Sequence, residues 1–516
     1  MADHDSSAPA TAPSDPADLT ADVVVLGGGP VGENVAQYAI EGTDLTAVVV
    51  EGELLGGECS YYACIPSKAL LRPPAVADTA AHLPGITTPQ VDRDALLLRR
   101  DAWVSHYDDS GQVDWAEGAG IQVVRGHGRI VGEREVLVEA ADATEGADGA
   151  EGTGGAGEAA APTRIRARRA VVIATGSRAH VPGPLQELLP WTSRDVTGVR
   201  EVPGELVIVG GGVVAVEAAT WMAALGAQVR LLVRGSSLLT GYEPFAAVHV
   251  QEALEALGVT VELGAFVVSG EREGAEETGL GRLHGGRVTL QVEDADGRRT
   301  VSCDELLAAT GRRPRLEDVG LDSLGLTAEE VTGTETSISD DATGAPLPEW
   351  LQVVGDASGE APLTHWGKYR ARVIGQAIRA GATGEALEPV PQSVPVPQVV
   401  FTDPQVASVG LTEQAAREAG HEVVTAQVPF GGAAGSALLR DDVTGTAQLV
   451  VDRSARTLLG ATFVGPEASE MLHAATVAIV GQVPVHVLRH AVPSFPTASE
   501  LWLQLLESLP RELRGL

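Results

Sequence analysis

The pattern strand, glycine loop, helix occurs twice in this chain of 516 residues, and it constrains the fold more than any other feature. Residues 22–26 (DVVVL) read as a buried parallel strand, Gly27-Gly28-Gly29-Pro30-Val31-Gly32 follows, and residues 33–40 read as a helix. Such a G-x-G-x-x-G loop lets the backbone approach a pyrophosphate, which the helix N-terminus attracts through unpaired N–H groups and its dipole. A second strand, residues 47–50, ends in Glu51, where a carboxylate can bind a ribose hydroxyl. Residues 206–209, the loop Gly210-Gly211-Gly212-Val213-Val214-Ala215 and residues 216–225 repeat the pattern. Two such units imply two bound dinucleotides. They differ at one informative place. Glu51 lies 51 − 29 = 22 residues past Gly29, and the same offset from Gly212 (212 + 22) lands on Arg234. An arginine there suits a 2′-phosphate, so NADPH is expected in preference to NADH; the alternative is that Arg234 only points to solvent.

Between the two units lies Gly56-Gly57-Glu58-Cys59-Ser60-Tyr61-Tyr62-Ala63-Cys64-Ile65-Pro66-Ser67-Lys68, with two of the chain's three cysteines five positions apart. In a regular helix their Cα atoms would be about 8–9 Å apart, beyond the ~7 Å limit for a disulfide. A bridge therefore needs a distorted turn, which Gly57 and the disfavoured helical geometry before Pro66 permit. The other reading is two structural thiols. Of 36 basic residues only Lys68 and Lys368 are lysines, so a lysine kept beside the cysteines suggests a need for a compact ammonium. Cys303, in a strand-like run, is expected to serve packing.

With the glycine loops, this segment resembles the flavoprotein disulfide reductases, which include dihydrolipoamide dehydrogenase, glutathione reductase and mercuric reductase. It matches their cysteine motif at Gly56, Gly57, Cys59, Cys64, Ile65, Pro66, Ser67 and Lys68. The resemblance implies an α/β fold: two Rossmann-like dinucleotide-binding domains, for FAD and NAD(P), and a C-terminal α+β dimerisation domain. It implies an interchange thiol at Cys59, a flavin-side thiol at Cys64, and Lys68 beside the flavin, paired with Glu217. It further implies FAD contacts at Gly27, Gly29, Gly32, Glu51, Gly57, Gly128, Thr175, Gly176, Ser177, Gly311, Asp356, Leu363, Thr364 and His365. The nicotinamide nucleotide falls to Gly210, Gly212, Ala215, Glu217 and Arg234, and Ala215 in place of the third glycine again favours NADPH. Residues 398–413 resemble the start of the dimerisation domain, and an apolar helix at 501–509 is expected in a homodimer interface. Where thiol-reducing members carry His-Pro-Thr-x-x-Glu, this chain reads Phe495-Pro496-Thr497-Ala498-Ser499-Glu500. Phenylalanine cannot shuttle the proton of thiol–disulfide exchange, which puts dithiol turnover in doubt. Mercuric reductases also lack that histidine but end in a cysteine pair, absent here. His490, Tyr61 or Tyr62 are conceivable substitute bases, each with a blander reading as a surface or packing residue.

A formal charge of −34 disfavours nucleic acid and anionic membranes as partners. With no secretory leader in residues 1–20 and no run of ~20 apolar residues, a cytoplasmic location is expected, where a close cysteine pair is more often catalytic. The expected layout is a disordered tail (1–20), a FAD-binding domain in two parts (21–198 and 309–392), an NAD(P)-binding domain (199–308) and the dimerisation domain (393–516). A disordered insertion is expected at 140–162, almost all Ala, Gly, Glu, Asp and Thr. The expected activity is hydride transfer from NAD(P)H through FAD to a Cys59–Cys64 disulfide and a small-molecule acceptor, with no metal site. Alternatives are dihydrolipoyl dehydrogenase proper, a quinone or diaphorase-type reductase with dispensable cysteines, and a non-catalytic flavoprotein.

Overall fold

Short valine- and leucine-rich runs bounded by glycine become the central strands of parallel sheets, because both of their faces are covered. The computed structural model describes residues 17–139, 161–332, 347–391 and 394–515. Its first strand, β1 (Ala17–Leu26), pairs in parallel with β2 (Ala47–Glu51) and with the strand Thr163–Ile173. The register sets Leu26 opposite both Val50 and Ile173, so three strand ends finish level and their following loops share one edge. Ligands of such sheets bind beyond this carboxyl edge. Helix α1 (Pro30–Ile40) opens on a proline at its first position, where a missing N–H is harmless, and buries Val35, Ala36 and Ala39 against Val23 and Val25.

Two compact units result. The first takes residues 1–57, 108–177 and 314–388 and holds a seven-stranded sheet in which the strands Ile121–Arg125 and Leu351–Val353 extend the parallel part. The second takes residues 58–107, 178–313 and 389–516. It holds a four-stranded parallel sheet built on Glu205–Val209 and Gln228–Val233, a three-stranded antiparallel sheet, and a five-stranded antiparallel sheet from Gln398 to Gly465. The level-ended register recurs there: Val209 lies opposite Leu232 and Ala308.

Residues 58–107 and 178–198, expected with the first dinucleotide unit, pack with the second. The reason is apolar burial: Leu70, Leu71, Leu96, Trp191 and Val196 share one core with Val216, Trp221 and Met222 of the helix Val213–Ala224. Of the tail expected at residues 1–20, residues 1–16 lie outside the described residues, and residues 17–20 pair with Thr163–Arg166 as part of β1. Of the expected insertion, residues 140–160 also lie outside the described residues, and the next strand begins at Thr163. The helix expected at 501–509 runs Glu500–Ser508 and buries Leu501, Leu505 and Leu506.

Candidate functional site

The first glycine loop shows by sterics why it holds glycines. A Cβ on Gly27, whose φ is +102°, would lie 2.4 Å from the Ala174 carbonyl oxygen, and one on Gly32 would lie 1.9 Å from the carbonyl oxygen of Gly27. Gly29 meets nothing within 4 Å, so the space above the start of α1 is open, as a pyrophosphate requires. Glu51 is positioned at the loop's edge: its Oε2 accepts from Gly28 N at 2.7 Å and its Oε1 from Glu53 N at 2.7 Å. Burial raises its pKa, against the pull of those two amides. Gly57 presses on the same loop, its notional Cβ 2.8 Å from Gly29 Cα.

Other expected flavin contacts gather in this unit. Gly176 is left-handed at φ +73°, Thr175 Oγ1 donates to Arg315 O at 2.6 Å, and Ser177 Oγ donates to Asp356 Oδ2 at 2.5 Å. Leu363 stands at the N-cap of the helix Thr364–Thr383 and has no side chain able to cap it; Thr364 and His365 open its first turn. Gly128 has a packing role, since a Cβ there would strike Val50 and Leu26 at 2.8 and 2.9 Å. Gly311 falls in the second unit, left-handed at φ +115°, with its carbonyl accepting from His180 N at 2.9 Å.

In the second unit the cysteine segment breaks where a bridge would need it to. Cys59 lies in the short helix α2 (Gly57–Tyr61), Cys64 begins α3 (Cys64–Ala81), and Ala63 between them has φ −137° and ψ −88°, outside helical geometry. Pro66 is not the breaker expected from its sequence neighbourhood. It sits in the first turn of α3, where its missing N–H would have no partner anyway. Lys68 stands one turn after Cys64 on the same face. Its Nζ is 2.8 Å from Glu217 Oε2 and 4.7 Å from the Phe401 ring centroid. Glu217, on the helix Val213–Ala224, is 3 % exposed, and its Oε1 accepts from Phe401 N at 2.9 Å. Both carboxylate oxygens are thus committed, which fixes the ammonium in place. Nearby, Tyr242 donates to Gln398 Oε1 at 2.9 Å, its phenol pushed up to about 12 by burial and by Glu217.

The second glycine loop repeats the first: a Cβ on Gly210 (φ +137°) would lie 2.2 Å from Ala309 O, and Gly212 is open above. Ala215 is fully buried. Arg234 follows the strand Gln228–Val233, exposed and making no ion pair among the described residues. Glu500 accepts from Gly435 N at 3.2 Å, while Phe495 is 77 % exposed and His490 is exposed. Tyr61 and Tyr62 are buried. Cys303 closes the strand Gly297–Cys303, fully buried with its thiol pushed up to about 12 by burial.

Phe401 and Glu33 were missed as site residues in the sequence. Phe401 contributes a main-chain N–H and a ring, which no side-chain motif reveals. Glu33 follows the first glycine loop, 6 % exposed, with Oε1 unpartnered among the described residues; burial pushes its carboxyl up to about 8, with Lys368 opposing and Glu51 reinforcing. An acid directly after a glycine fingerprint was the signal available.

Comparison with known proteins identifies the family. Residues 21–368 match the family model for pyridine nucleotide-disulphide oxidoreductase, and residues 396–505 match that family's dimerisation domain. A dihydrolipoyl dehydrogenase from Haloferax volcanii is 33% identical over 94% of this chain and 96% of its own. A mercuric reductase from Staphylococcus aureus is 27% identical over 93% of this chain and 80% of its own. Among solved structures, the HOCl-induced flavoprotein disulfide reductase RclA from Escherichia coli superposes with a TM-score of 0.74 at 20% identity, covering 95% of this chain and 100% of that one. LpdA from Mycobacterium tuberculosis gives 0.75 at 22% identity, covering 95% and 99%; both show likeness of fold. Two open glycine loops, a cysteine pair and a matched family model over most of the length have one conclusion: the chain belongs to the pyridine nucleotide-disulphide oxidoreductases and is an FAD-dependent oxidoreductase of the disulfide reductase type.

Proposed function

We propose that this enzyme takes hydride from NADPH in preference to NADH, uses Cys59 and Cys64 as its redox-active pair, and delivers the electrons to a small-molecule acceptor that is not a standard dithiol. The observation that carries the reading is the Lys68–Glu217 pair at 2.8 Å, one helical turn from Cys64, with Glu217 also holding Phe401 N. An exposed ammonium needs no such buried partner; one that must keep a fixed orientation beside a reacting ring does.

FAD, when bound, supplies the two-electron exchange between nicotinamide and sulfur. The residues that would hold it are Gly27, Gly29, Gly32, Glu51, Gly57, Thr175, Gly176, Ser177, Asp356 and the first turn after Leu363. Gly210, Gly212, Ala215 and Arg234 would hold the nicotinamide nucleotide. The acceptor is inferred from Phe495: with no imidazole in the C-terminal motif, dithiol exchange lacks its proton carrier. The working unit is a homodimer through the dimerisation domain, in the cytoplasm, where reduced thiols are maintained.

Anaerobic titration with NADPH tests the relay. A long-wavelength absorbance is expected in the wild type and lost in Cys64→Ser; its absence from the wild type refutes the cysteine pair as an electron carrier. Full acceptor reduction by Cys59→Ser would assign reduction of the acceptor to the flavin instead.

A further inference from the structure

Phe401 meets the Lys68–Glu217 pair twice, its N–H on Glu217 Oε1 and its ring against the Lys68 ammonium, and the segment that carries it is tied down two residues later. Asp403 Oδ2 accepts from Arg440 Nη1 at 3.1 Å. The same nitrogen donates to Oδ2 of Asp78, roughly three turns along α3 from Lys68. Helix α3 therefore grips residues 401–403 at two places, directly through Lys68 and by way of the arginine through Asp78. Between those places Thr402 is 4 % exposed, and its Oγ1 donates to Pro404 O at 2.8 Å. Arg440 is itself buried. His82, the C-cap of α3, has Nδ1 3.6 Å from Asp78 Oδ2, and its carbonyl accepts from Asp441 N at 2.9 Å, which binds the arginine's own segment to the end of the helix.

Two carboxylates gathered on one nitrogen repel each other once that nitrogen is removed. Burial pushes the Asp403 carboxyl up to about 6, with Arg440 and His82 opposing and Asp78 reinforcing. We propose that Asp403, Arg440 and Asp78 are positioning residues: the arginine holds residues 401–403 against α3 and so keeps the Phe401 N–H on Glu217 and the Phe401 ring against the Lys68 ammonium. Without Arg440, repulsion between Asp78 and Asp403 lifts the segment, Glu217 loses its main-chain donor, and the ammonium loses its fixed direction. A proton shared by the two carboxylates lets the segment return. This rests on Lys68 facing the flavin when FAD is bound, and is independent of what the cysteines and the acceptor do.

The test is single-turnover reduction of the holoenzyme's flavin by NADPH, followed anaerobically as loss of flavin absorbance. Near neutral pH, Arg440→Met should slow reduction roughly 10–100-fold, while the NADPH concentration giving half the maximal rate moves by less than about twofold. Against the wild type at the same pH, the loss should largely disappear below about pH 6, and also in the double variant Arg440→Met with Asp78→Asn. An arginine that only fills space gives a loss that neither acid nor the second substitution relieves. Such a loss, or a wild-type rate in Arg440→Met, overturns the proposal. Should Arg440→Met fail to retain FAD, Asp403→Ala decides: it should slow reduction with the same small change in NADPH dependence, and Asp403→Asn, whose amide oxygen still accepts from Arg440, should restore the rate. Equal rates in Asp403→Ala and the wild type overturn the proposal. Lys68→Met separates this from the reading on which it rests. If Lys68→Met reduces as fast as the wild type, Lys68 does not serve the flavin and both fall; if it alone is slow, only the positioning role is rejected.

Discussion

Glu33 is a carboxyl that makes no ion pair among the described residues, buried just after the first glycine loop. Its folded-state pKa of about 8 lies above the ordinary value of 4.5. A carboxyl raised in this way stabilises the fold fully below its unfolded pKa, and that stability is lost as pH climbs through the folded one. Thermal unfolding of Glu33→Gln should therefore show a gain over the wild type of roughly 2–4 kcal/mol above pH 8, shrinking toward nothing at pH 4. A gain that does not vary with pH would count against the assignment. Arg234 is the second single-residue decision. Arg234→Ala should raise the KM for NADPH by roughly tenfold or more and leave that for NADH nearly unchanged. An equal rise for both nucleotides would remove the 2′-phosphate role.

At the scale of elements, the first glycine loop separates packing from binding within six residues. Gly32→Ala drives a methyl into the Gly27 carbonyl, so strand and helix must part; Gly29→Ala meets no protein atom and intrudes only on the space above α1. Gly32→Ala should lower the unfolding temperature or prevent folding, whereas Gly29→Ala should keep native circular dichroism and lose FAD on gel filtration, read as the visible-to-ultraviolet absorbance ratio. Retention of full FAD by a folded Gly29→Ala would show that the open space is not the cofactor's. The break between α2 and α3 follows a related economy of geometry. One residue, Ala63, leaves helical space, so the cysteines stand on two successive helices and not at the fixed spacing of one.

For the molecule as a whole, residues 396–505 match the family's dimerisation domain, and Phe495, at the place where the resemblance to thiol-reducing members leads one to expect a histidine, is 77 % exposed. If the lost base explains the divergence, Phe495→His should raise dihydrolipoamide turnover by roughly 10²-fold or more, with Glu500 available as the imidazole's partner. Steady-state lipoamide assays of the two proteins check this. No gain in a variant with full FAD would mean that acceptor choice is set elsewhere, not at this position. No helix among the described residues is long and apolar enough to cross a membrane.

Both glycine loops, their strands, Glu51 and the cysteine segment were legible in the sequence, because each depends on neighbours within about 25 positions and on backbone rules that any chain obeys. Glu217 was legible only by resemblance. Its contact with Lys68 spans 149 positions and exists because apolar side chains of α3 and of the helix Val213–Ala224 share one core. The grouping of residues 58–107 with the second unit was decided in the same way. Burial of Glu33 and the meeting of Asp78, Arg440 and Asp403 were also tertiary decisions. Charged residues are written alike in a sequence whether solvated or enclosed, and only packing of the whole chain determines which of them lose water and must find one another.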